Sequence, residues 1–138
     1  DIGLANPNAL VIANNCFQAI NVIGNPEARI ILSETAVYLA VSPKSNSTYN
    51  AINEAMAFVK KTGNLPVPIH LRNAPTKLMK DLDYGKDYQY AHSYEGNFVD
   101  LEFLPDDIKG TAFYHSANNS TEKKIKEQLK DKWGDKYY

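Results

Sequence analysis

The chain has 138 residues, 43% of them hydrophobic, which is enough to form the core of one globular domain. Its net charge of −1 lacks the positive excess that is typical of a domain devoted to nucleic acid. No run approaches the roughly 18 apolar residues of a membrane-spanning helix, so no contact with a membrane is predicted. The single cysteine, Cys16, cannot form a disulfide within the chain and indicates a reducing, cytoplasmic compartment.

The first third of the chain contains residues that mark the starts and ends of two helices. Asn6-Pro7 and Asn25-Pro26 each place a capping side chain before a proline, which is tolerated at the first helical position. Gly24 is suited to ending the first helix. The sequence therefore predicts a helical hairpin with helices at about 7–23 and 26–41, capped by the two asparagines.

Both predicted helices are apolar around much of their circumference, whereas a surface helix normally carries one apolar stripe. Either the helices lie at the centre of the domain, which we take as the working prediction, or a partner subunit covers them. The residues concerned are Leu10, Val11, Ile12, Phe17, Ile20, Val22 and Ile23 in the first helix, and Ile30, Ile31, Leu32, Val37, Tyr38, Leu39 and Val41 in the second.

A third helix is predicted to begin near residues 45–47 and to stop at Gly63 and Pro66. Its apolar residues recur at helical spacing; they are Tyr49, Ile52, Met56 and Val59. A last helix near 120–133 is predicted to carry Ile125, Leu129 and Trp133 on one face, with the pairs Glu122–Lys126 and Lys123–Glu127 on the outside.

The stretch between these helices, 63–119, is rich in proline and aromatic residues. We predict a packed, irregular excursion with a short helix near 75–82, a small strand pair around 88–103 and a helix start at 104–108. The sequence as a whole predicts a mainly all-α fold in a single domain, 1–138, made of 1–62, 63–119 and 120–138.

Searches for catalytic and ligand-binding motifs give a negative result. Gly85-Lys86 lacks the glycine at position 80 and the Ser or Thr at position 87 of a phosphate-binding loop. The three histidines are far apart in the sequence and only one cysteine is available for a metal ion. The chain is therefore predicted to have no catalytic, cofactor-binding or metal-binding residues of its own.

Segment 70–92 is the densest in basic and aromatic side chains. Such side chains can hold phosphates and stack on bases, although Asp81, Asp83 and Asp87 nearly cancel the lysines. Tyrosines in such a segment more often serve packing or a subunit contact, and catalysis is a third possibility. The candidate contact residues are His70, Arg72, Asn73, Lys77, Lys80, Tyr84, Lys86, Tyr88 and Tyr90.

The same segment, which opens with HLRNAPTKLMK, closely resembles the C-terminal region of the MgsA/RarA family of AAA+ ATPases. This family is also called replication-associated recombination protein A. Further similar stretches are DIGLANPNAL at 1–10, AVYLA at 36–40 and SPKSNS at 42–47. The resemblance covers about the first 115 residues, and the helix after Asn118 matches only loosely.

The resemblance implies a helical collar domain like those of clamp-loader subunits, and a homotetramer held largely through this region. It implies a AAA+ motor and lid outside this chain, with ATP and Mg²⁺ bound by the motor. It also implies action at stalled replication forks in the bacterial cytoplasm, with DNA and single-stranded-DNA-binding protein as partners. The start at Asp1, without an initiator methionine, predicts an excised part of a longer protein.

The function predicted on these grounds is a non-catalytic oligomerisation domain for DNA replication, recombination and repair. The alternative is a DNA-binding or partner-binding module of the same ATPase that uses segment 70–92. An enzyme acting by itself is a third reading, which no constellation of residues supports.

Overall fold

The computed structural model describes residues 1–137, in which the regular elements are five α-helices. They are α1 (Asn8–Ile23), α2 (Ala28–Val41), α3 (Ser47–Thr62), α4 (Lys77–Asp81) and α5 (Ser120–Trp133). Single 3₁₀ turns occur at Gly3–Ala5, Ile69–Leu71, Ala91–Ser93, Glu95–Asn97 and Asp106–Ile108. The predicted all-α class is confirmed, and the helix start predicted at 104–108 is one 3₁₀ turn.

The predicted strand pair around 88–103 is wrong, because residues 1–137 contain no strand. Two 3₁₀ turns occupy this stretch, and Gly96 and Asn97 have φ angles of 70° and 53°. Positive φ angles interrupt the extended backbone that a ladder of hydrogen bonds requires. The aromatic residues that suggested a strand reflect packing preference rather than an intrinsic preference of the backbone.

The bounds of α1 and α2 agree with the prediction to within two residues, but the predicted asparagine caps are wrong. Asn6 donates hydrogen bonds from its side-chain amide to the Tyr38 hydroxyl (2.9 Å) and to Ser42 Oγ (3.1 Å). It thereby ties the start of α1 to the end of α2. Because α2 begins at Ala28, Asn25 lies outside the capping position.

Contacts divide the chain into two compact units, each assembled from two stretches of sequence. The first unit consists of residues 1–54 and 113–127, and the second consists of 55–112 and the chain from 128 onward. In the first unit, α1 and α2 pack against each other as the predicted hairpin. The single domain predicted over 1–138 stays a prediction.

The interior of the first unit is built from small and polar side chains. Among residues 1–137, the buried apolar residues are Ala5, Ala9 and Cys16. The buried polar residues are Thr35, Ser42, Ser45, Ser47 and Glu122, and all of them belong to this unit. The large apolar side chains of α1 and α2 therefore do not form its centre.

The second unit has an aromatic cluster around Trp133. The rings of Phe98, Tyr137 and Phe103 lie 4.8, 5.4 and 6.1 Å from the Trp133 ring, centroid to centroid, in edge-to-face arrangements. The ammonium group of Lys136 lies 5.0 Å from the centre of the Trp133 ring, a distance at which cation and ring attract each other. Three aromatic rings thus pack around Trp133 in this unit.

Candidate interaction surfaces

Helix α1 exposes large apolar side chains to solvent. Leu10, Phe17 and Val22 are 79%, 64% and 86% exposed. None of its 16 residues is charged, although an exposed helix normally carries charged side chains on its solvent side. The working prediction that these helices lie at the centre of the domain is therefore wrong, and cover by a partner subunit stays a prediction.

Helices α2 and α3 also expose apolar rows. In α2, Ile30, Val37 and Val41 lie at spacings of seven and four residues and are each more than half exposed. In α3, the helical spacing predicted for the apolar residues is confirmed, but the stripe faces solvent. Its members, Tyr49, Ile52, Met56 and Val59, are each more than half exposed. Large apolar side chains are thus exposed on all three helices.

Within segment 70–92, the structure brings His70, Arg72 and Tyr84 into defined contacts. The Arg72 guanidinium lies 4.9 Å from the centre of the Tyr84 ring, and its Nε donates a hydrogen bond of 2.7 Å to the Val67 carbonyl. His70 Nε2 lies 2.8 Å from the Glu102 carbonyl oxygen. His70 and Arg72 also line a cleft of about 500 Å³ in the second unit.

The other predicted contact residues of this segment are exposed. Lys77 and Lys80 lie on α4, whose first turn is capped by the Thr76 hydroxyl. Lys86 Nζ pairs with Asp83 at 3.2 Å, which offsets its charge. Exposed positions are also occupied by Asn73, Tyr88 and Tyr90. The role of all nine residues as contacts stays a prediction.

Glu122 forms the most extensively bonded buried site of the first unit. Its side chain is wholly buried, which contradicts the predicted outward pair with Lys126. Oε1 accepts hydrogen bonds from the hydroxyl of Ser45 and from Nδ2 of Asn119 (3.0 Å). Oε2 accepts from the Tyr114 hydroxyl (2.9 Å) and from the backbone N–H of Ala117 (2.8 Å).

These donors control the ionisation of Glu122. Burial by itself raises the pKa of the carboxyl, but the hydrogen bonds to the ionised form outweigh it and lower the pKa to about 2. Burial also raises the pKa of the Tyr114 phenol, which keeps its proton available for donation. Glu122 is therefore a carboxylate at neutral pH, held by four donors that bear no formal charge.

Sequence reasoning missed this site, although part of its signal was available. Asn119 and Glu122 have the spacing of a capping box, in which a side chain before a helix binds a backbone N–H inside it. The Glu122 N–H donates a hydrogen bond of 2.9 Å to Asn119 Oδ1 at the start of α5. The contact with Ser45 had no local signal, because it joins residues 77 positions apart.

Two searches of residues 1–137 are negative. No group of three or more His, Cys, Asp or Glu side chains in this range is placed to hold a metal ion. In the same range, no helix has the length and apolar character needed to cross a membrane.

The fold and its surfaces define an all-α domain that displays large apolar side chains on its helices. The chain belongs to the family of the C-terminal domain of MgsA AAA+ ATPases, whose model ("MgsA AAA+ ATPase C terminal") matches residues 1–133. It is 45% identical over 130 residues to replication-associated recombination protein A of Coxiella burnetii, and 38% identical over 130 residues to the protein of that name from Escherichia coli.

A eukaryotic protein is similar as well: ATPase WRNIP1 of Dictyostelium discoideum is 41% identical over 132 residues. The matches cover 94% of this chain for the two bacterial relatives and 95% for the eukaryotic one. The chain spans only 30% and 29% of the two bacterial relatives and 15% of the eukaryotic one. Most of each relative thus lies outside the matched region.

Proposed function

We propose that this chain is the self-assembly domain of a AAA+ ATPase that acts in replication-associated recombination, and that it joins four copies into a collar. The observation that carries this proposal is the exposure of the apolar rows on α1, α2 and α3, while the interior of the first unit is formed by small and polar residues. A helix with such rows is stabilised when another protein surface covers them.

The energies are large enough for association. Burying one side chain such as Leu10, Phe17 or Met56 contributes about 1.5–3 kcal/mol. The loss of translational and rotational freedom on association costs about 4–15 kcal/mol. Several such side chains on each copy therefore offset that cost, which a single exposed leucine or phenylalanine could not do.

The rest of the proposed protein supplies the chemistry. Its motor binds ATP and Mg²⁺, and this chain adds no catalytic or cofactor-binding residue to it. The full-length ATPase acts on DNA together with single-stranded-DNA-binding protein, and the collar holds its motors at a fixed spacing. A tetramer with closed symmetry leaves no apolar surface open for further addition of copies.

Light scattering coupled to size-exclusion chromatography tests this proposal across a range of protein concentrations. The expected mass is four times the 15.4 kDa of the chain at high concentration, with dissociation on dilution. The variant Met56→Glu, which places a charge in the exposed stripe of α3, is expected to dissociate at a higher concentration than the wild type. The variant Asn53→Glu, at an exposed polar position of the same helix, is the matched control. A wild-type chain that remains monomeric at every concentration overturns the proposal.

A second candidate function is contact with single-stranded DNA through segment 70–92. The observation in its favour is that the Tyr88 and Tyr90 rings are more than half exposed, as rings that stack on bases must be. The double variant Lys77→Glu, Lys80→Glu should then weaken DNA binding and reduce its salt dependence. Lys60→Glu, Lys61→Glu at the exposed end of α3 is the control. Equal DNA affinity of both variants and the wild type excludes this candidate.

A further inference from the structure

We propose that residues 134–137 form a latch, which Lys136 closes onto the segment 100–102, and that the closed latch holds the wall shared by two clefts of the second unit. All of these residues belong to the second unit, and the latch lies past residues 1–133, the range that the family model matches. Neither the latch nor the clefts depend on the proposed self-assembly.

The latch begins at Gly134, directly after the last residue of α5. Gly134 has a φ of +56°, a left-handed conformation that commonly follows the end of a helix and that glycine adopts at low cost. The chain then turns back on the helix, because the Lys136 N–H donates a hydrogen bond of 3.1 Å to the Trp133 carbonyl oxygen. This turn places the Lys136 ammonium group 5.0 Å from the centre of the Trp133 ring and 5.4 Å from that of Tyr137.

The Lys136 ammonium group is the point at which the latch closes. Nζ donates hydrogen bonds to the Leu101 carbonyl oxygen (2.8 Å) and to Asp100 Oδ1 (3.2 Å), and Glu102 Oε2 lies 3.7 Å away. The three hydrogens of an ammonium group equal these oxygens in number. The side chains of Lys136 and Glu102 are only 22% and 20% exposed, so salt screens their attraction less than that of an exposed pair.

The same contacts keep Lys136 charged. Burial by itself lowers the pKa of the ammonium group, but the hydrogen bond to Asp100 and the negative charge of Glu102 outweigh it and raise the pKa above its ordinary value. The latch is therefore held by a full positive charge at neutral pH, and a substitution that removes this charge should open it.

The segment 100–102 also forms the wall between two clefts. Glu102 and His70 line both the cleft of about 500 Å³ described above and a second cleft of about 430 Å³. Because a carbonyl oxygen only accepts hydrogen bonds, His70 Nε2 carries the proton in its 2.8 Å contact with the Glu102 carbonyl. The Glu102 carboxylate pairs with Lys136 and also accepts a hydrogen bond of 3.4 Å from the Tyr137 hydroxyl. Glu102 therefore joins the latch, through its side chain, to the wall of the clefts, through its backbone.

Withdrawal of Lys136 has two consequences for this unit. The Trp133 ring loses the ammonium group that lies over it and becomes more accessible to water. The segment 100–102 loses three contacts with Lys136, so the Glu102 carbonyl is no longer held opposite His70. The latch thus couples the end of α5 to the shape of both clefts.

Tryptophan fluorescence tests the closure, because the chain has one tryptophan and its emission reports on Trp133. Lys136→Met removes the charge but keeps a long side chain, and should shift the emission to longer wavelength and increase its quenching by acrylamide. Asp100→Asn, at a side chain that is 68% exposed, removes one ion-pair partner and should cause smaller changes in the same direction. Lys132→Met, at an exposed lysine beside Trp133, is the matched control and should leave both quantities unchanged.

Nuclear magnetic resonance of the histidine rings tests the coupling to the clefts. Lys136→Met should shift the ring signals of His70 and leave those of His115, an exposed histidine of the first unit, unchanged. Circular dichroism checks that the helices are retained, and if Lys136→Met loses them, Asp100→Asn decides by the same two measurements.

Three results overturn the proposal. Wild-type emission and quenching in both Lys136→Met and Asp100→Asn would mean that Lys136 does not close the latch. An equal change in Lys132→Met would mean that any nearby charge affects Trp133. A change at Trp133 without a change at His70 would mean that the latch does not hold the wall between the clefts.

Discussion

The Ser45 hydroxyl donates a hydrogen bond to Oε1 of Glu122, a residue 77 positions further along the chain. Ser45 precedes α3 and Glu122 lies in the first turn of α5, so this bond joins the two stretches of sequence that form the first unit. Ser45 Oγ also accepts the backbone N–H of Ser47 at 3.3 Å. The turn before α3 is thereby fixed to the start of the terminal helix.

Replacement of Glu122 by glutamine should destabilise the chain by about 3 kcal/mol at pH 7. Glutamine keeps one acceptor oxygen, but its amide nitrogen would face groups that are themselves donors, such as the Tyr114 hydroxyl or the Ala117 N–H. Urea denaturation monitored by circular dichroism measures the change in the free energy of unfolding. Glu127→Gln, on the exposed side of α5, is the control and should change the free energy of unfolding by less than about 0.5 kcal/mol. If Glu122→Gln lowered the free energy of unfolding as little as Glu127→Gln does, the hydrogen bonds to Glu122 would add no stability.

The stability of the wild type should fall as the pH falls from about 5 towards 2. The folded-state pKa of Glu122 is about 2, below its ordinary value of 4.5. A lowered pKa means that the carboxylate stabilises the fold fully above its unfolded-state pKa and that this contribution is lost as pH approaches the folded-state value. The loss at pH 3 is about 2 kcal/mol relative to pH 7. Denaturation curves at both pH values measure it, and Glu122→Gln should lack this part of the pH dependence. An unchanged pH dependence in that variant contradicts the assignment.

Gly3→Ala should lower the free energy of unfolding by more than alanine normally does at a glycine with a positive φ. Gly3 has a φ of +52°, and a Cβ added there would lie 2.8 Å from the Ser45 carbonyl oxygen. Gly63→Ala is the matched control, because its φ is +70° and no described heavy atom beyond its immediate neighbours lies within 4 Å of an added Cβ. Left-handed strain costs each variant about 1–2 kcal/mol. Thermal unfolding should show the larger loss for Gly3→Ala, and a loss no greater than that of Gly63→Ala would mean that the contact with Ser45 relaxes freely.

Trp133→Ala should destabilise the second unit by about 2–4 kcal/mol, because it removes the ring on which Phe98, Phe103 and Tyr137 pack. Tyr94→Ala, at an exposed tyrosine of the same unit, is the control and should have a small effect. Chemical denaturation compares the two variants. Similar free energies of unfolding would indicate that the aromatic cluster contributes little beyond the helix that carries it.

The helices were predictable because their signals are local. Gly24 and Gly63 follow the last residues of α1 and α3, and the bounds of α5 agree with those predicted. The side of each helix that faces the interior was not predictable in the same way. Helical spacing groups Tyr49, Ile52 and Met56 on one face, but it carries no information on whether that face meets the core or the solvent. Only the three-dimensional arrangement shows that it is exposed.

The buried carboxylate was missed for a related reason. An isolated glutamate beside lysines, such as Glu122 in α5, is normally a solvated side chain, and its donors Ser45, Tyr114 and Asn119 come from three places in the sequence. Segment 70–92, in contrast, was noticed from the sequence, although its contacts were not predictable. Its composition identified it as unusual, but the pairing of Lys86 with Asp83 and the stacking of Arg72 on Tyr84 depend on the path of the backbone.

The separation of Ser45 and Glu122 also sets an order of events during synthesis. At about 5–20 residues per second, the ribosome adds Glu122 roughly 4–15 s after Ser45. Throughout that interval α1 and α2 have already been translated, while the carboxylate that fixes the turn after them does not yet exist. The nascent chain therefore carries its uncharged helix α1 for several seconds before its own first unit can close.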